Sequence, residues 1–311
     1  MNNSQFSILN SQLYHVSALL EKTINGLNIK PDGIYVDLTF GGGGHSKEIL
    51  AKLNSAGTLV AFDKDKDAFE NKIDDDRMIY VQHNFKFLYN FLNYFDLIPV
   101  DGIIADLGVS WHQFDVAERG FSFRFDGNLD MRMNQNTSLT ARKVLNEYSE
   151  AQLSTIFKVY GEIAHSKQLA QAIVNFREKQ QISTTAELKE IASKFAPMRD
   201  KTRHLSQVFQ ALRIEVNNEI EALKEMLESS KKVLKKGGRI TIISYHSLED
   251  RMVKNFFRTG SVDKAEVESD LYGRVSVPFI AITRKAIIPD EEEILKNPRI
   301  RSAKLRIAEK L

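Results

Sequence analysis

The chain has 311 residues, of which 42% are hydrophobic and 27% charged, with 16 glycines, 6 prolines and no cysteine. This composition excludes a collagen-like, low-complexity or disordered chain, and the missing cysteines exclude disulfides, Cys-ligated zinc, iron–sulfur clusters and thiolate nucleophiles. The formal net charge is only +2, which leaves a local basic surface and a nucleic-acid partner open.

The first residues, Met1–Leu20, carry neither an early positive charge nor a long apolar core, so they do not resemble a signal peptide. No apolar run approaches the roughly eighteen residues that a membrane-spanning helix needs. We therefore expect a cytoplasmic protein that does not associate with a membrane.

Short β-rich runs alternate with helical patterns in the first third of the chain, which is typical of an α/β fold built on a parallel sheet. The predicted strands are 34–40, 58–63, 78–83 and 102–107. A further buried strand, 239–244, follows only after about 130 residues, far more than one crossover helix needs. The spacing therefore predicts an insertion between the fourth and the fifth strand.

The inserted stretch has apolar residues at helical spacing from Ser138 to Phe195, which predicts a small helical domain. Two helix starts are indicated by the spacing of a capping box, in which two side chains satisfy each other's free backbone amides. These pairs are Ser149 with Gln152 and Thr184 with Glu187.

Two elements are predicted after the insertion. An amphipathic helix over 218–234 ends at Lys235 and Lys236, a basic last turn followed by two glycines. A last strand is predicted over 274–284, where Pro278 indicates a sheet edge or a bulge.

Four consecutive glycines follow the first predicted strand, in the segment Asp37–Ser46. Glycines let the backbone turn tightly and approach a ligand, and the start of the next helix offers free amides. Asp63 ends the second strand about twenty residues later, where a carboxylate can accept both ribose hydroxyls of a nucleoside cofactor. The pattern favours an adenosyl ligand over the alternative of a tight turn without a ligand.

A nicotinamide cofactor is the competing ligand, because dinucleotide-binding enzymes use a similar loop and acid. Their fingerprint needs a third glycine, and here that position falls on Ser46 or Lys47, depending on the register. The fingerprint therefore fails in both registers, which disfavours a dehydrogenase.

Asp106 ends the fourth predicted strand, at the edge where open α/β sheets bind their ligands. It is a candidate catalytic carboxylate, and its alternative role is to cap a helix or to order a loop. The seven histidines are scattered without a metal-binding spacing, so no metal site is predicted.

Two downstream stretches are candidates for contact with nucleic acid. Residues 120–133 combine aromatic, arginine and aspartate side chains, which suits either stacking on a base or a buried structural loop. Residues 297–306 carry four cations, which suits either contact with a phosphate backbone or a solvated tail. The sequence leaves both alternatives open.

Short segments spread in order along the chain match the motifs of one enzyme family. They are His15–Glu21, Gly43–Ser46, Phe62–Asp65, Asp106–Ser110, Glu118–Phe123, Leu129–Met133, Phe209–Asn217, Ser244–Arg251 and Asn297–Arg306. The chain therefore resembles, over nearly its full length, the ribosomal RNA small subunit methyltransferase H family. These bacterial enzymes methylate the exocyclic amine of one decoding-centre cytosine of 16S rRNA with S-adenosyl-L-methionine.

The resemblance implies a Rossmann-like class I methyltransferase sheet, formed by residues 1–113 and 206–311, that binds S-adenosyl-L-methionine. It implies that residues 114–205 form an inserted helical domain for substrate recognition. It also implies 16S rRNA in the small ribosomal subunit as the partner, and it leaves the oligomeric state open, including a homo-oligomer. By resemblance, the cofactor contacts are Gly43, Gly44, His45, Asp63, Phe85, Asp106 and Gln113.

The missing cysteine bears on the chemistry, because methylation of a cytosine ring carbon generally needs a thiolate that first attacks the base. An exocyclic amine instead attacks the methyl group directly, so the enzyme needs only to align the reactants and accept a proton. We hypothesise that the Asp106 carboxylate or nearby backbone carbonyls hold the amino hydrogens. The alternatives are a nicotinamide dehydrogenase on the same sheet and an assembly factor that binds RNA without catalysis.

Overall fold

A computed structural model describes residues 17–197, 199–262 and 277–311, and the chain divides into two compact units. The sheet unit comprises the residues up to Gly108 and those from Glu221 onward. The helical unit comprises Val109–Ile220.

The sheet unit contains a seven-stranded sheet in the order β3-β2-β1-β4-β5-β7-β6. The strands β1 to β5 pair in parallel, whereas β7 runs antiparallel to both β5 and β6. In chain order, the strands are β1 (Ile34–Asp37), β2 (Thr58–Asp63), β3 (Met78–Gln82), β4 (Val100–Asp106), β5 (Leu234–Ser244), β6 (Phe279–Ala281) and β7 (Lys304–Lys310).

The α-helices of the two units are numbered together along the chain. They are α1 (Leu20–Leu27), α2 (Gly44–Lys52), α3 (Leu88–Tyr94), α4 (Trp111–Asp115), α5 (Ala141–Glu147), α6 (Glu150–Val159), α7 (Ser166–Arg177), α8 (Thr185–Ser193), α9 (Lys201–Asn217), α10 (Glu219–Val233), α11 (Ser247–Thr259) and α12 (Glu291–Lys296).

Both faces of the sheet are buried, because successive residues of each strand point to opposite sides and helices cover both. On one face, Val36, Val60 and Ile103 pack with apolar residues of α3, α10 and α11. On the other face, Tyr35 and Ile104 pack with apolar residues of α1 and α2. The sheet is therefore rigid on both sides, and its functional groups lie at the strand ends.

The predicted α/β sheet is confirmed, with shifts at the strand ends. Strand β2 has the predicted bounds, whereas β1 ends at Asp37 because the turn into the glycine loop begins there. The predicted last strand, 274–284, lies partly outside the described residues, and its described part contains only the short β6.

Of the two alternatives for residues 297–306, the solvated tail is wrong, and contact with a phosphate backbone stays a prediction. Residues Pro298–Ser302 form a 3₁₀ turn, and the chain then enters β7, which lies inside the sheet between β5 and β6. The cations Lys304 and Arg306 both pair with Asp250 of α11, at 3.5 and 2.7 Å. Alternation of cations with buried apolar residues is the pattern of a strand, and here it forms one.

The helical unit has its own apolar core. Both predicted capping boxes are present, at the start of α6 and at the start of α8. The buried residues Leu205, Val208 and Leu212 of α9 belong to this core, so the unit extends beyond the predicted end of the insertion at residue 205. The core is formed by residues of the α5 to α9 helices and of the loop that precedes α5.

That loop, which includes residues 120–133, is buried at its two ends, whereas Arg124 and Phe125 in its middle are exposed. The Arg119 guanidinium is buried and donates to the backbone carbonyl of Arg132 at 3.0 Å. The Arg132 guanidinium in turn forms a two-pronged pair with Asp130, at 2.8 and 2.6 Å. These two arginines therefore hold the loop in shape, and Phe121 is buried beside them.

Within residues 17–197, 199–262 and 277–311, no helix combines the length and the apolar character that crossing a bilayer requires.

A candidate active site at the carboxyl edge of the sheet

Three carboxylates end neighbouring strands of the sheet. Asp37 ends β1, Asp63 ends β2 and Asp106 ends β4, and β1 lies between the other two strands. Because these strands are parallel, their carboxyl ends meet at one edge of the sheet. The strand order reverses direction between β1 and β4, and at such a switch point open α/β sheets bind their ligands.

The chain leaving β1 bonds to both neighbouring strands at this switch point. The Leu38 amide donates to the Ile104 carbonyl of β4, and the Phe40 amide donates to the Phe62 carbonyl of β2, both at 2.9 Å. The chain is thus bonded to one neighbouring strand and then to the other before the glycines begin. The start of the glycine loop is therefore fixed by backbone hydrogen bonds.

The glycine loop turns directly from this point into α2. Gly43 is the residue before the helix and has a φ of 75°, a left-handed conformation that favours glycine. A β-carbon at this position would lie 3.1 Å from the Phe40 ring. The turn into α2 therefore depends on a glycine at position 43.

Asp63 connects the end of β2 with this loop. Its Oδ2 accepts a hydrogen bond from the Gly41 amide and its Oδ1 accepts one from the Asp65 amide, both at 2.9 Å. Each carboxylate oxygen can accept a further bond, so the group can still hold two hydroxyls of a ligand. Burial raises the pKa of Asp63 to about 6, and the two amide donors oppose that rise.

Asp106 is held from two sides. Its backbone amide donates to Thr39 Oγ1 at 2.6 Å, and its Oδ1 accepts a hydrogen bond from the Tyr245 hydroxyl at 2.9 Å. Burial raises the pKa of Asp106 to about 6, although nearby His45 and the Tyr245 hydroxyl lower it. Burial and this carboxylate hold the pKa of Tyr245 well above its usual range, so the phenol stays protonated and donates.

The first turn of α2 is anchored by buried polar groups. His45 Nε2 lies 3.1 Å from the Ala18 carbonyl, and burial lowers the pKa of this histidine. The ring is therefore neutral at pH 7 with its proton on Nε2. The Ser46 hydroxyl donates to Asp37 at 2.7 Å, and burial raises the pKa of Asp37 to about 6.

The sheet unit brings most of the predicted site residues to one edge. Gly43, Gly44 and His45 form the turn into α2, and Asp63 and Asp106 end the flanking strands. Phe85 follows β3, the next strand beyond β2, and is half-buried against the core of the sheet unit.

Gln113 belongs to the helical unit. It forms a capping box with Ser110 at the start of α4, in which the Ser110 amide donates to Gln113 Oε1 at 3.1 Å. Its side chain is buried within that arrangement.

Three residues with roles at this edge, Asp37, Thr39 and Tyr245, were not identified from the sequence. Tyr245 directly follows β5, and Ile243 of β5 lies opposite Asp106 of β4. The signal that would have found Tyr245 is its place after a strand adjacent to β4, by the rule that located Asp63 and Asp106.

Comparison with known proteins connects this site with one family. A family model described as the MraW methylase family matches residues 12–311. A protein of Bacteroides thetaiotaomicron named ribosomal RNA small subunit methyltransferase H is 54% identical over 297 residues, covering 96% of this chain and 97% of that protein. A protein of the same name from Flavobacterium johnsoniae is 54% identical over 298 residues, covering 96% and 98%.

Among solved structures, an rRNA methylase from Streptococcus thermophilus is 12% identical, with a TM-score of 0.43 and coverage of 96% of this chain and 99% of that chain. The sequence relatives cover almost the whole chain at more than half identity. The chain therefore belongs to the MraW methylase family.

Proposed function

We propose that this protein transfers a methyl group from S-adenosyl-L-methionine to the exocyclic amine of a cytosine in the RNA of the small ribosomal subunit. The observation that carries the proposal is the pair of carboxylates, Asp63 and Asp106, that end strands on either side of β1 and its glycine loop. Membership of the family supports a methylase, and the relatives' name supports ribosomal RNA of the small subunit as the substrate.

The cofactor fits the residues of the sheet unit. Asp63 retains an accepting position on each oxygen, which suits the two ribose hydroxyls of an adenosyl group. Gly43, Gly44 and His45 form the turn into α2, where the backbone can approach the cofactor, and Phe85 offers an aromatic side chain for the adenine. We assign these residues of the sheet unit to cofactor binding, and a role for Gln113 stays a prediction from the resemblance.

Asp106 is the group that we assign to the amine. When bound, the cofactor supplies an electrophilic methyl group on a sulfonium. The Asp106 carboxylate accepts a hydrogen bond from the cytosine amino group, which directs the nitrogen lone pair toward the methyl and gives the released proton an acceptor. The Tyr245 hydroxyl fixes the rotamer of that carboxylate through the 2.9 Å bond to Oδ1, which leaves Oδ2 for the substrate.

The RNA target must be unpaired and unstacked to enter such a site, at a cost of a few kcal/mol. We assign recognition of the surrounding RNA to the helical unit, Val109–Ile220, which has its own core and an independent surface. Action on the small ribosomal subunit places the protein in the bacterial cytoplasm.

The test is transfer of labelled methyl to small ribosomal subunits that lack the modification, followed by mapping of the modified nucleotide. We expect label on the exocyclic nitrogen of one decoding-centre cytosine, and none with Asp106→Ala. Binding of the cofactor to wild type without transfer of label would instead support an assembly factor. Label on a ring carbon would contradict the direct displacement.

A further inference from the structure

Helix α11 has one apolar face and one cationic face. Its buried residues include Val253, Phe256 and Phe257, which pack into the core of the sheet unit. Arg251, Lys254 and Arg258 are all exposed, and their spacing of three and four residues places them along one side of the helix. We call these three residues the basic ridge.

The acids of the same helix do not pair with the ridge, because they bond to other residues of the sheet unit. Asp250 receives Arg306 Nε at 2.7 Å and Lys304 Nζ at 3.5 Å, both from β7. Burial raises the pKa of Asp250, but these pairs outweigh it and hold the pKa below its usual range, so the carboxylate stays ionised. Glu249 is only 3% exposed and accepts a hydrogen bond from the Tyr245 amide at 3.2 Å.

The ridge cations are therefore not paired with the acids of their own helix. Among the ion pairs of the described part of the chain, none involves Arg251, Lys254 or Arg258. The net charge of the whole chain is close to neutral, so this separation of charge on one helix is local. A local field of this sign attracts polyanions.

The ridge begins beside the candidate active site. Helix α11 starts at Ser247, shortly after β5 ends, and the Tyr245 between them reaches Asp106. From Arg251 to Arg258, the seven-residue step of an α-helix spans about 10 Å. The cations thus form a line that leads away from the catalytic edge, a form that suits an extended backbone better than one bound anion.

We propose that the basic ridge binds the phosphates of the single-stranded RNA that flanks the target nucleotide. This proposal rests on the function proposed above and adds a surface of the sheet unit to RNA recognition. Two of the three cations are arginines, whose planar guanidinium groups donate two parallel bonds to a phosphate. When the unstacked cytosine enters the site, the phosphates of the flanking RNA remain outside it. There they can contact the cations of α11.

The experiment measures binding of a fluorescein-labelled single-stranded RNA, containing the target cytosine and its flanking nucleotides, at several salt concentrations. The ridge variant is the double substitution Arg251→Gln and Lys254→Gln. Its matched control is the double substitution Lys52→Gln and Lys236→Gln. It removes two exposed cations, one at the end of α2 and one in β5. A charge-conserving variant, Arg251→Lys, keeps the ridge cationic.

We expect the slope of log affinity against log salt to fall by about 0.7 for each ridge cation removed, hence by about 1.4 in the double variant. The control pair and Arg251→Lys should keep the wild-type slope. Affinity for S-adenosyl-L-methionine should be unchanged in every variant, which shows that the cofactor site is folded.

An equal loss of slope in the ridge and control variants would contradict phosphate binding by the ridge, because the effect would then come from overall charge. If wild type methylates its RNA and the ridge variant keeps the wild-type slope, the proposed role of the ridge is wrong and the proposed function stands. If wild type binds S-adenosyl-L-methionine but neither binds nor methylates the RNA, the proposed function fails with it.

Discussion

The Tyr245 hydroxyl and the Asp106 carboxylate form a 2.9 Å hydrogen bond that joins the ends of β5 and β4. Asp106 is the carboxylate assigned to the substrate amine, and Tyr245 is the donor that selects which of its oxygens faces the substrate. Burial raises the pKa of both groups, and their interaction lowers the pKa of Asp106 and raises that of Tyr245 further. Tyr245 is thus a positioning residue whose effect passes through Asp106.

Replacing Tyr245 with Phe removes that donor and leaves the ring. Loss of a hydrogen bond to a charged group costs about 1.5 to 3 kcal/mol, so the pKa of Asp106 should rise by about one unit or more from its value near 6. The acidic limb of the kcat profile should move to higher pH by the same amount. A profile measured from pH 5 to 9 checks this, and an unchanged limb would mean that Tyr245 is only structural.

Replacing Asp63 with Asn should weaken binding of S-adenosyl-L-methionine about ten- to a hundredfold at pH 7.5, because one charged hydrogen bond is lost. The pKa of Asp63 is about 6, so wild-type affinity should itself fall as the pH drops below 6 and the carboxyl is protonated. Wild type and variant should therefore differ less at pH 5 than at pH 7.5. Calorimetric titration at both pH values measures this, and a constant ratio would reject the ribose assignment.

Replacing Asp106 with Asn should change how stability depends on pH. Folding raises the pKa of Asp106 from 3.8 to about 6, so the folded state binds this proton more tightly. The resulting stabilisation is complete below pH 3.8 and is lost as the pH rises through 6, an effect of up to about 3 kcal/mol.

The asparagine variant lacks this loss, so its free energy of unfolding relative to wild type should rise between pH 4 and pH 7.5. Urea unfolding at both pH values, without cofactor, measures the difference. The same relative stability at the two pH values would show that Asp106 has an ordinary pKa in the folded protein.

Replacing Gly43 with Ala should destabilise the protein, whereas replacing Gly42 with Ala should not. Gly43 has a φ of 75°, where a β-carbon costs about 1 to 2 kcal/mol, and the Phe40 ring is 3.1 Å away. Gly42 is exposed and is not among the glycines with a positive φ. Urea unfolding of both variants makes the comparison, and equal stability would contradict the strained turn.

Much of the sheet could be predicted, because a buried parallel strand is an apolar run that ends in a polar residue or a glycine. Strand β2 and its terminal Asp63 follow from that pattern alone. The same pattern places Tyr245 at the end of a strand, but its hydrogen bond to Asp106 could not be predicted from the pattern. It depends on the register of β4 against β5, two strands separated in the sequence by the whole helical unit.

Strand β7 was missed for a related reason. Its sequence alternates charged and apolar residues, and its cations Lys304 and Arg306 find their acid only through Asp250, more than fifty residues earlier. Likewise, Arg119 and Arg132 are residues typical of an RNA-binding segment. Only the fold shows that Arg119 donates to the Arg132 carbonyl and that Arg132 donates to Asp130. Local sequence shows that a charge is present, whereas tertiary contacts determine whether it is available.

The position of β7 between β5 and β6 also has a consequence for biosynthesis. Sixty residues separate Ser244 from Lys304, its partner in β7. At bacterial elongation rates, β7 is therefore synthesised about 3 to 12 s after β5. During that interval the isoleucine-rich β5 has a free edge in the nascent chain. Such an edge can pair with another chain and lead to aggregation. We therefore expect translation products that stop short of residue 304 to be captured by chaperones or degraded, rather than to persist as partly active enzyme.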